Sequence, residues 1–445
     1  MRQFLIFAIL SAVSFQAFPF ERQPDGDYRS RRERLAAKLG SGVAVVFAST
    51  EAEGQNATHG FRQNDDFFYL TGWREPGAAL LIAPAAEARG EQAARPYTEI
   101  LFLPAHNASQ EKWTGPKLSA GDPDAAARAG VASVEALDRM RDALVRILPA
   151  PAATVLTELS ETGSVPSTVP IEWLRRANAF PNYVTFRDIR PLIAELRVVK
   201  DTGEIARIRK ATEATVTAHE AVMHAIKASM TENEISATLQ FGFMRGGCEG
   251  PAYAPIVGSG QSSTTLHYSE NSGTLRDGDL VVTDAAGEYS MYASDVTRTL
   301  PVSGRFTPRQ REIYGIVLGA HDAAIAAFRS GVSTIGRSTP NSLYKIALEY
   351  LNTHGKDLRG QPLGPYMIHG LGHFVGLAVH DPGDTAEPLA PGMVFTIEPG
   401  IYLPEEHFGV RIEDDFLVGE DGKLICLSCA LPMKAEDVEK ELARR

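Results

Sequence analysis

Leu280-Val281-Val282-Thr283-Asp284-Ala285-Ala286-Gly287-Glu288-Tyr289-Ser290-Met291-Tyr292-Ala293-Ser294-Asp295-Val296-Thr297-Arg298-Thr299 reads as two strands folded back on each other. Leu280 to Val282 open a buried strand, Gly287, Glu288 and Ser290 interrupt the apolar run as a turn, and Val296 to Leu300 return. A fold-back about Tyr289 and Ser290 sets Asp284 opposite Asp295. Directly opposed side chains have Cβ atoms about 4.5–5.5 Å apart, where two like charges destabilise a sheet. A divalent cation held by carboxylate oxygens would relieve that repulsion. The alternative, one turn aspartate and one solvated aspartate, stays open on these two residues alone.

Further ligand-type residues gather downstream. Ile256-Val257-Gly258-Ser259-Gly260 leads to His267-Tyr268-Ser269-Glu270-Asn271. Residues 367–381 read MIHGLGHFVGLAVHD, residues 392–402 read GMVFTIEPGIY, and residues 409–415 read GVRIEDD. Gly370 and Gly372 flank His373, which argues against a stable helix there and lets backbone approach a site closely. Glu398 closes the apolar run Met393–Ile397, and a carboxylate at the end of a buried strand is costly unless paired or metal-bound. Glu413 follows Val410-Arg411-Ile412 in strand-like alternation, with a salt bridge to Arg411 or Arg298 as its plainer reading. Two Asp, one His and two Glu could together hold two hard divalent cations.

The chain of 445 residues has room for two domains with cores of their own. Its net charge of −11 argues against a nucleic-acid partner. No run reaches the 18 or so apolar residues of a membrane span. Residues 1–20, with Arg2 before an apolar core and small Ala12 and Ser14, read as a signal peptide. Export to the periplasm or medium follows, the alternative being a retained N-terminal anchor. Of the cysteines Cys248, Cys426 and Cys429, the last two have CxxC spacing and read as a packed pair able to form a disulfide.

Familiar catalytic patterns are missing. There is no GxSxG elbow and no GxxxxGK[ST] loop, and His219-Glu220 fails as HExxH because Met223 stands at the second histidine position. Arg31–Leu39 reads as a helix. Val43–Ala48, Phe67–Leu70, Ala78–Ile82, Ile100–Leu103 and Thr154–Leu156 read as strands, with helical pattern over Val134–Ile147. This predicts an α/β domain over 25–190. Asp201/Glu204, Thr231/Glu234 and Thr307/Gln310 then have capping-box spacing, with Pro308 at a first helical position. They open long helices of a second domain over 195–445.

The order of these segments from about Val198 onward resembles the pita-bread-fold metallopeptidases, in the branch holding aminopeptidase P and prolidase. Phe61-Arg62-Gln63-Asn64-Asp65-Asp66-Phe67-Phe68-Tyr69-Leu70-Thr71-Gly72 and the region of Trp113 resemble that branch's first domain. The resemblance implies an α+β pita-bread catalytic domain behind an α/β N-terminal domain. It implies metal ligands Asp284, Asp295, His373, Glu398 and Glu413, with Glu398 also the proton-transferring base. His267, His369 and His380 would surround the substrate, and Tyr402 and Arg411 would support the site. It implies two divalent ions, manganese being usual with cobalt or zinc as substitutes. The implied activity is release of an N-terminal residue from peptides with proline second. The alternatives are an Xaa-Pro dipeptidase and a non-catalytic binding or scaffold protein. The branch also implies a homodimer or homotetramer, with Trp113 lent to a neighbouring subunit. One departure is Asp284-Ala285-Ala286, where the family commonly has Asp-Ala-Gly; a negative φ at Ala286 would accommodate it.

Overall fold

The computed structural model describes residues 20–56, 60–88, 94–148, 152–159 and 183–444. The signal-peptide reading over 1–20 falls almost wholly outside them.

The N-terminal domain is built on a mixed six-stranded sheet in the order Val134–Ala136, Thr98–Leu103, Ala79–Ala83, Val43–Phe47, Ala152–Thr157, Tyr183–Asp188. The central strands are buried along their whole length, because helices and loops cover both faces. Phe67–Leu70, expected as a strand, lies instead in the helix Asp65–Thr71. Asn64 caps it by accepting the Phe67 N–H at 2.8 Å, and Gly72 ends it with a left-handed φ of 61°. All of Phe67 to Thr71 is buried, so the apolar run that suggested a strand is a helix wrapped on every side. The expected helix over 134–147 begins only at Met140, after an edge strand and a 3-10 turn. The first helix starts earlier than expected, at Asp25.

In the second domain all three capping boxes form, opening the helices Thr202–Ala225, Glu232–Arg245 and Pro308–Ala327. These helices pack over a sheet of Ile256–Ser259, Leu280–Asp284 and Thr297–Pro301. A second sheet joins Val394–Ile397, Asp414–Val418 and Leu424–Cys426, and Gly400–Leu403 pairs with Phe408–Arg411. Single bridges from Thr297 to Glu413 and from Phe374 to Phe395 sew these pieces together.

The decisive hairpin forms, but in a different register. Tyr289 faces Tyr292 and Asp284 faces Thr297, so the turn is Ser290-Met291, with φ of 51° and 73°. Gly287 and Glu288, expected in the turn, are buried strand residues. The pairing is displaced by two residues from the expected one. Side chains alternate with a period of two, so Asp284 and Asp295 still share a face but stand diagonally rather than opposite. Ala286 has no positive φ, consistent with the departure noted above.

Candidate active site

Asp284 ends the strand Leu280–Asp284, while Asp295 precedes Thr297–Pro301 on the returning arm. Both aim at one phenol: Tyr253 Oη lies 2.7 Å from Asp284 Oδ1 and 2.5 Å from Asp295 Oδ1. A hydroxyl has one proton to give. Two carboxylates on it therefore require a further proton on one of them, and burial followed by the Asp295 charge raises the Asp284 pKa.

Glu413 arrives from the second sheet. Its N–H donates to Thr297 O at 3.1 Å and its Oε2 accepts the Thr297 hydroxyl at 2.6 Å. Burial, then the charges of Asp295, Glu398 and Asp284, push its carboxyl well above the usual range. The salt bridges considered for Glu413 are not its anchors. Arg298 is committed to Asp414 at 2.8 Å and to the carbonyls of Thr297, Glu413, Leu431 and Pro432. Arg411 is committed to Asp284 at 2.5 Å and to Tyr402 Oη at 2.7 Å.

His373 sits where backbone is pressed close to Val394–Ile397: its carbonyl accepts the Thr396 N–H at 2.9 Å. A Cβ on Gly372 would stand 1.9 Å from the Thr396 carbonyl, so only glycine fits there. The His373 Nδ1 donates to the Phe374 carbonyl at 3.2 Å, which turns Nε2 towards Asp295 at 3.4 Å and Glu398 at 3.7 Å. Burial opposes charge on this ring, but the Asp295 hydrogen bond and the Asp295 and Glu398 charges outweigh it, and the pKa rises to about 9. Glu398, anchored by its N–H on the Leu371 carbonyl at 2.8 Å, is pushed up to about 7, first by burial.

Next to it, His369 Nδ1 lies 2.8 Å from the Gly370 carbonyl and 3.6 Å from Glu398, while Nε2 lies 2.8 Å from Tyr402 Oη. The Arg411 N–H donated to Tyr402 leaves the phenol proton for Nε2, which fixes the tautomer. Burial and then the Arg411 charge hold His369 down to about 4, so it is neutral. His380 packs edge-on against His373 at 4.2 Å between ring centres, and burial followed by His373 lowers its pKa.

These groups line one cavity of about 430 Å3, together with His267, Tyr253, Ala254, Ile256, Leu266, Ser269 and Val379. Every residue expected at the site is on its wall. Within this cavity, one ligand atom each of Asp295, His373 and Glu413 lie within 4.8 Å of one another. The arrangement fits cations. Four carboxylates face one arginine, the phenol cannot serve both aspartates, and burial with mutual repulsion disfavours the charged forms of Asp284, Glu398 and Glu413, a burden that a bound cation would offset.

Sequence reasoning missed Tyr253 and Asp415. Asp415 accepts the Asp295 N–H at 3.0 Å and so fixes the backbone of a central carboxylate. Its place two residues past Glu413 in an alternating segment was a usable signal; a loop tyrosine offered none. His219, read as an ordinary helix residue, is buried and hydrogen-bonds the Ala285 carbonyl at 2.8 Å, beside Asp284. The CxxC pair is a disulfide, Cys426–Cys429. Trp113 is 89% exposed on the short helix Glu111–Thr114 and takes no part in this cavity.

Residues 206–420 match metallopeptidase family M24, and residues 28–156 match the aminopeptidase P N-terminal domain. The chain is 34% identical over 438 residues to an Xaa-Pro aminopeptidase of Escherichia coli, covering 93% of this chain and 96% of that one. It is 32% identical over 461 residues to human Xaa-Pro aminopeptidase 3, covering 93% and 85%. Among solved structures, zinc-substituted E. coli aminopeptidase P in complex with product superposes with a TM-score of 0.80 at 30% identity, over 96% of this chain and 100% of that one. Proline aminopeptidase P II of Yersinia pestis gives 0.79 at 31% identity, over 95% and 100%. Both domains and their order agree with these relatives, and the chain belongs to the M24 metallopeptidases, in their aminopeptidase P branch.

Proposed function

We propose that this chain is a metal-dependent Xaa-Pro aminopeptidase, releasing the first residue of peptides whose second residue is proline. The observation that carries the reading is the convergence of Asp284, Asp295, His373, Glu398 and Glu413 on one cavity. These five would hold two divalent cations. Bound there, the ions would polarise the scissile carbonyl and acidify a water.

The chain's own residues supply the rest. Glu398 lines the same cavity, where its carboxylate can take a proton from water and return it to the departing proline nitrogen. His380, kept neutral by burial and by His373, can donate one N–H to the oxygen that gains charge. His267 faces the same space from the opposite segment. His369, locked by Tyr402 and Gly370, stands 3.6 Å from Glu398 on the cavity wall. Ile256, Leu266 and Val379 give an apolar wall suited to a pyrrolidine ring. A retained set of five ligands disfavours a scaffold role, and full-length relatives named Xaa-Pro aminopeptidase favour this activity over a dipeptidase.

The test is turnover of an Xaa-Pro-Yaa tripeptide against an Xaa-Pro dipeptide. Cleavage of the tripeptide, abolished by chelator and restored by a divalent ion, supports the reading. A metal-loaded sample that cleaves only the dipeptide, or neither peptide, overturns it. Manganese is the ion we assign, because oxygen donors with one imidazole suit it; activity restored better by zinc or cobalt than by manganese refutes that choice. We further assign a homodimer or homotetramer in which the exposed Trp113 reaches a neighbour's cavity. A monomer by light scattering, or full activity in Trp113→Ala, refutes it. Export by the leader over 1–20 is assigned on its composition, and an intact N-terminus on purified cytosolic protein contradicts it.

A further inference from the structure

We propose that Arg62, from the N-terminal domain, is a positioning residue for this reaction, joining the hairpin that carries Asp284 and Asp295 to the loop that carries His373 and His380. The inference rests on the aminopeptidase reading. The guanidinium works in three directions at once. Its Nε donates to the Glu288 carboxylate at 2.8 and 3.1 Å, Nη2 to the Leu377 carbonyl at 2.7 Å, and Nη1 to Asp65 at 2.8 Å. Glu288 lies on the inner arm of the hairpin, paired with Ala293, two residues before Asp295. Leu377 lies midway between the two histidines. The two segments also touch directly, through the Ala293 N–H on the Gly376 carbonyl at 2.8 Å.

The far end of the loop is held separately. Asp381, next to His380, is bound by Arg197 at 2.5 Å and Lys200 at 3.0 Å, and accepts the Ala378 N–H at 3.1 Å. The stretch containing His380 is therefore held at Asp381 and, on the side of the carboxylate-bearing hairpin, by the Ala293–Gly376 bond and by Arg62, the side chain that spans both segments. Glu288 is nearly buried, with 4% of its side chain exposed, while Arg62 retains 21%. Losing the guanidinium would remove the Glu288 ion pair and the donor to the Leu377 carbonyl together. A lysine offers one compact ammonium and cannot span Glu288 and Leu377 in the same geometry. No atom of Arg62 borders the main cavity, so its influence passes through the segments it joins.

The experiment compares wild type, Arg62→Ala and Arg62→Lys in the full chain, manganese-loaded, on an Xaa-Pro-Yaa tripeptide. Displacing a reacting group by about 1 Å costs up to ~100-fold in rate. The expected result is therefore a fall in kcat of roughly 10–100-fold for Arg62→Ala, with manganese affinity within about threefold of wild type. Arg62→Lys should recover little, whereas millimolar guanidinium ion, but not ammonium, should restore part of the Arg62→Ala rate. A kcat within twofold of wild type overturns the proposal. So does a loss that guanidinium cannot reverse, or one that follows loss of bound manganese. An inactive wild type would instead overturn the aminopeptidase reading, so the two failures are distinct.

Discussion

Replacing Glu398 by glutamine should make the metal-free protein more stable at pH 8 and the metal-loaded protein less able to gain from its ions. Burial, the dominant cause, raises this carboxyl from 4.5 to about 7. At ~1.4 kcal/mol per pH unit, that displacement corresponds to a penalty of roughly 3 kcal/mol once the group is ionised in the folded state. Glu398 shares its charge burden with Asp295 and Asp284, so about 1–3 kcal/mol is the expected gain on neutralising it. The sign follows from the direction. Below pH 4.5 both folded and unfolded carboxyls are protonated and the group contributes nothing. Between 4.5 and about 7 the unfolded chain ionises first and stability falls as pH rises. Above that range the full penalty stands, and glutamine avoids it. Urea unfolding in chelator at pH 8 and pH 5 measures this: the variant should lead by about 1–3 kcal/mol at pH 8 and by little at pH 5. With manganese at 100 times its Kd, wild type should gain about 2.7 kcal/mol per ion and the variant much less. A variant less stable than wild type at pH 8 in chelator, or equally stabilised by manganese, would refute the reasoning.

Manganese affinity should rise between pH 5 and pH 8, because the raised carboxyls of Asp284, Glu398 and Glu413 hold protons that the ion must displace; titration calorimetry in buffers of different ionisation enthalpy would show the proton release. Tyr253→Phe removes the hydroxyl shared by Asp284 and Asp295 and should weaken metal binding in the chelator-stripped protein's titration about 10–100-fold while leaving the fold intact by circular dichroism. Arg298→Met strands Asp414 with both partners at 0% exposure and should destabilise by about 3–5 kcal/mol in urea, whereas the Cys426→Ser/Cys429→Ser pair, opening a loop of only four residues, should cost about 2 kcal/mol or less.

The carboxylate set was legible because its chemistry is local: an acid after a buried run is costly wherever the chain carries it, and Glu398 and Glu413 announced themselves that way. The three helix starts were legible for the same reason, since each capping box lies within four consecutive residues. The hairpin register was not. Ser290-Met291 takes left-handed φ at both turn residues without the glycine or asparagine that would signal it, so the turn was placed one residue early. The helix Asp65–Thr71 was hidden by burial on all sides, which erases its periodicity, although Asn64 and Gly72 marked both ends. Tyr253 and Arg62 act on partners far away in sequence, and no spacing rule reaches them.

One apolar cluster draws on both halves of the chain: Leu35, Phe68 and Leu101 pack in it with Ile208, Tyr292, Val375, Val394 and Leu417. A hydrolase trimmed to its second half would bare this seam to water, inviting self-association in place of catalysis. Shortening the enzyme for engineering therefore calls for resurfacing those positions with polar residues first, or for keeping the leading half as an intramolecular cover.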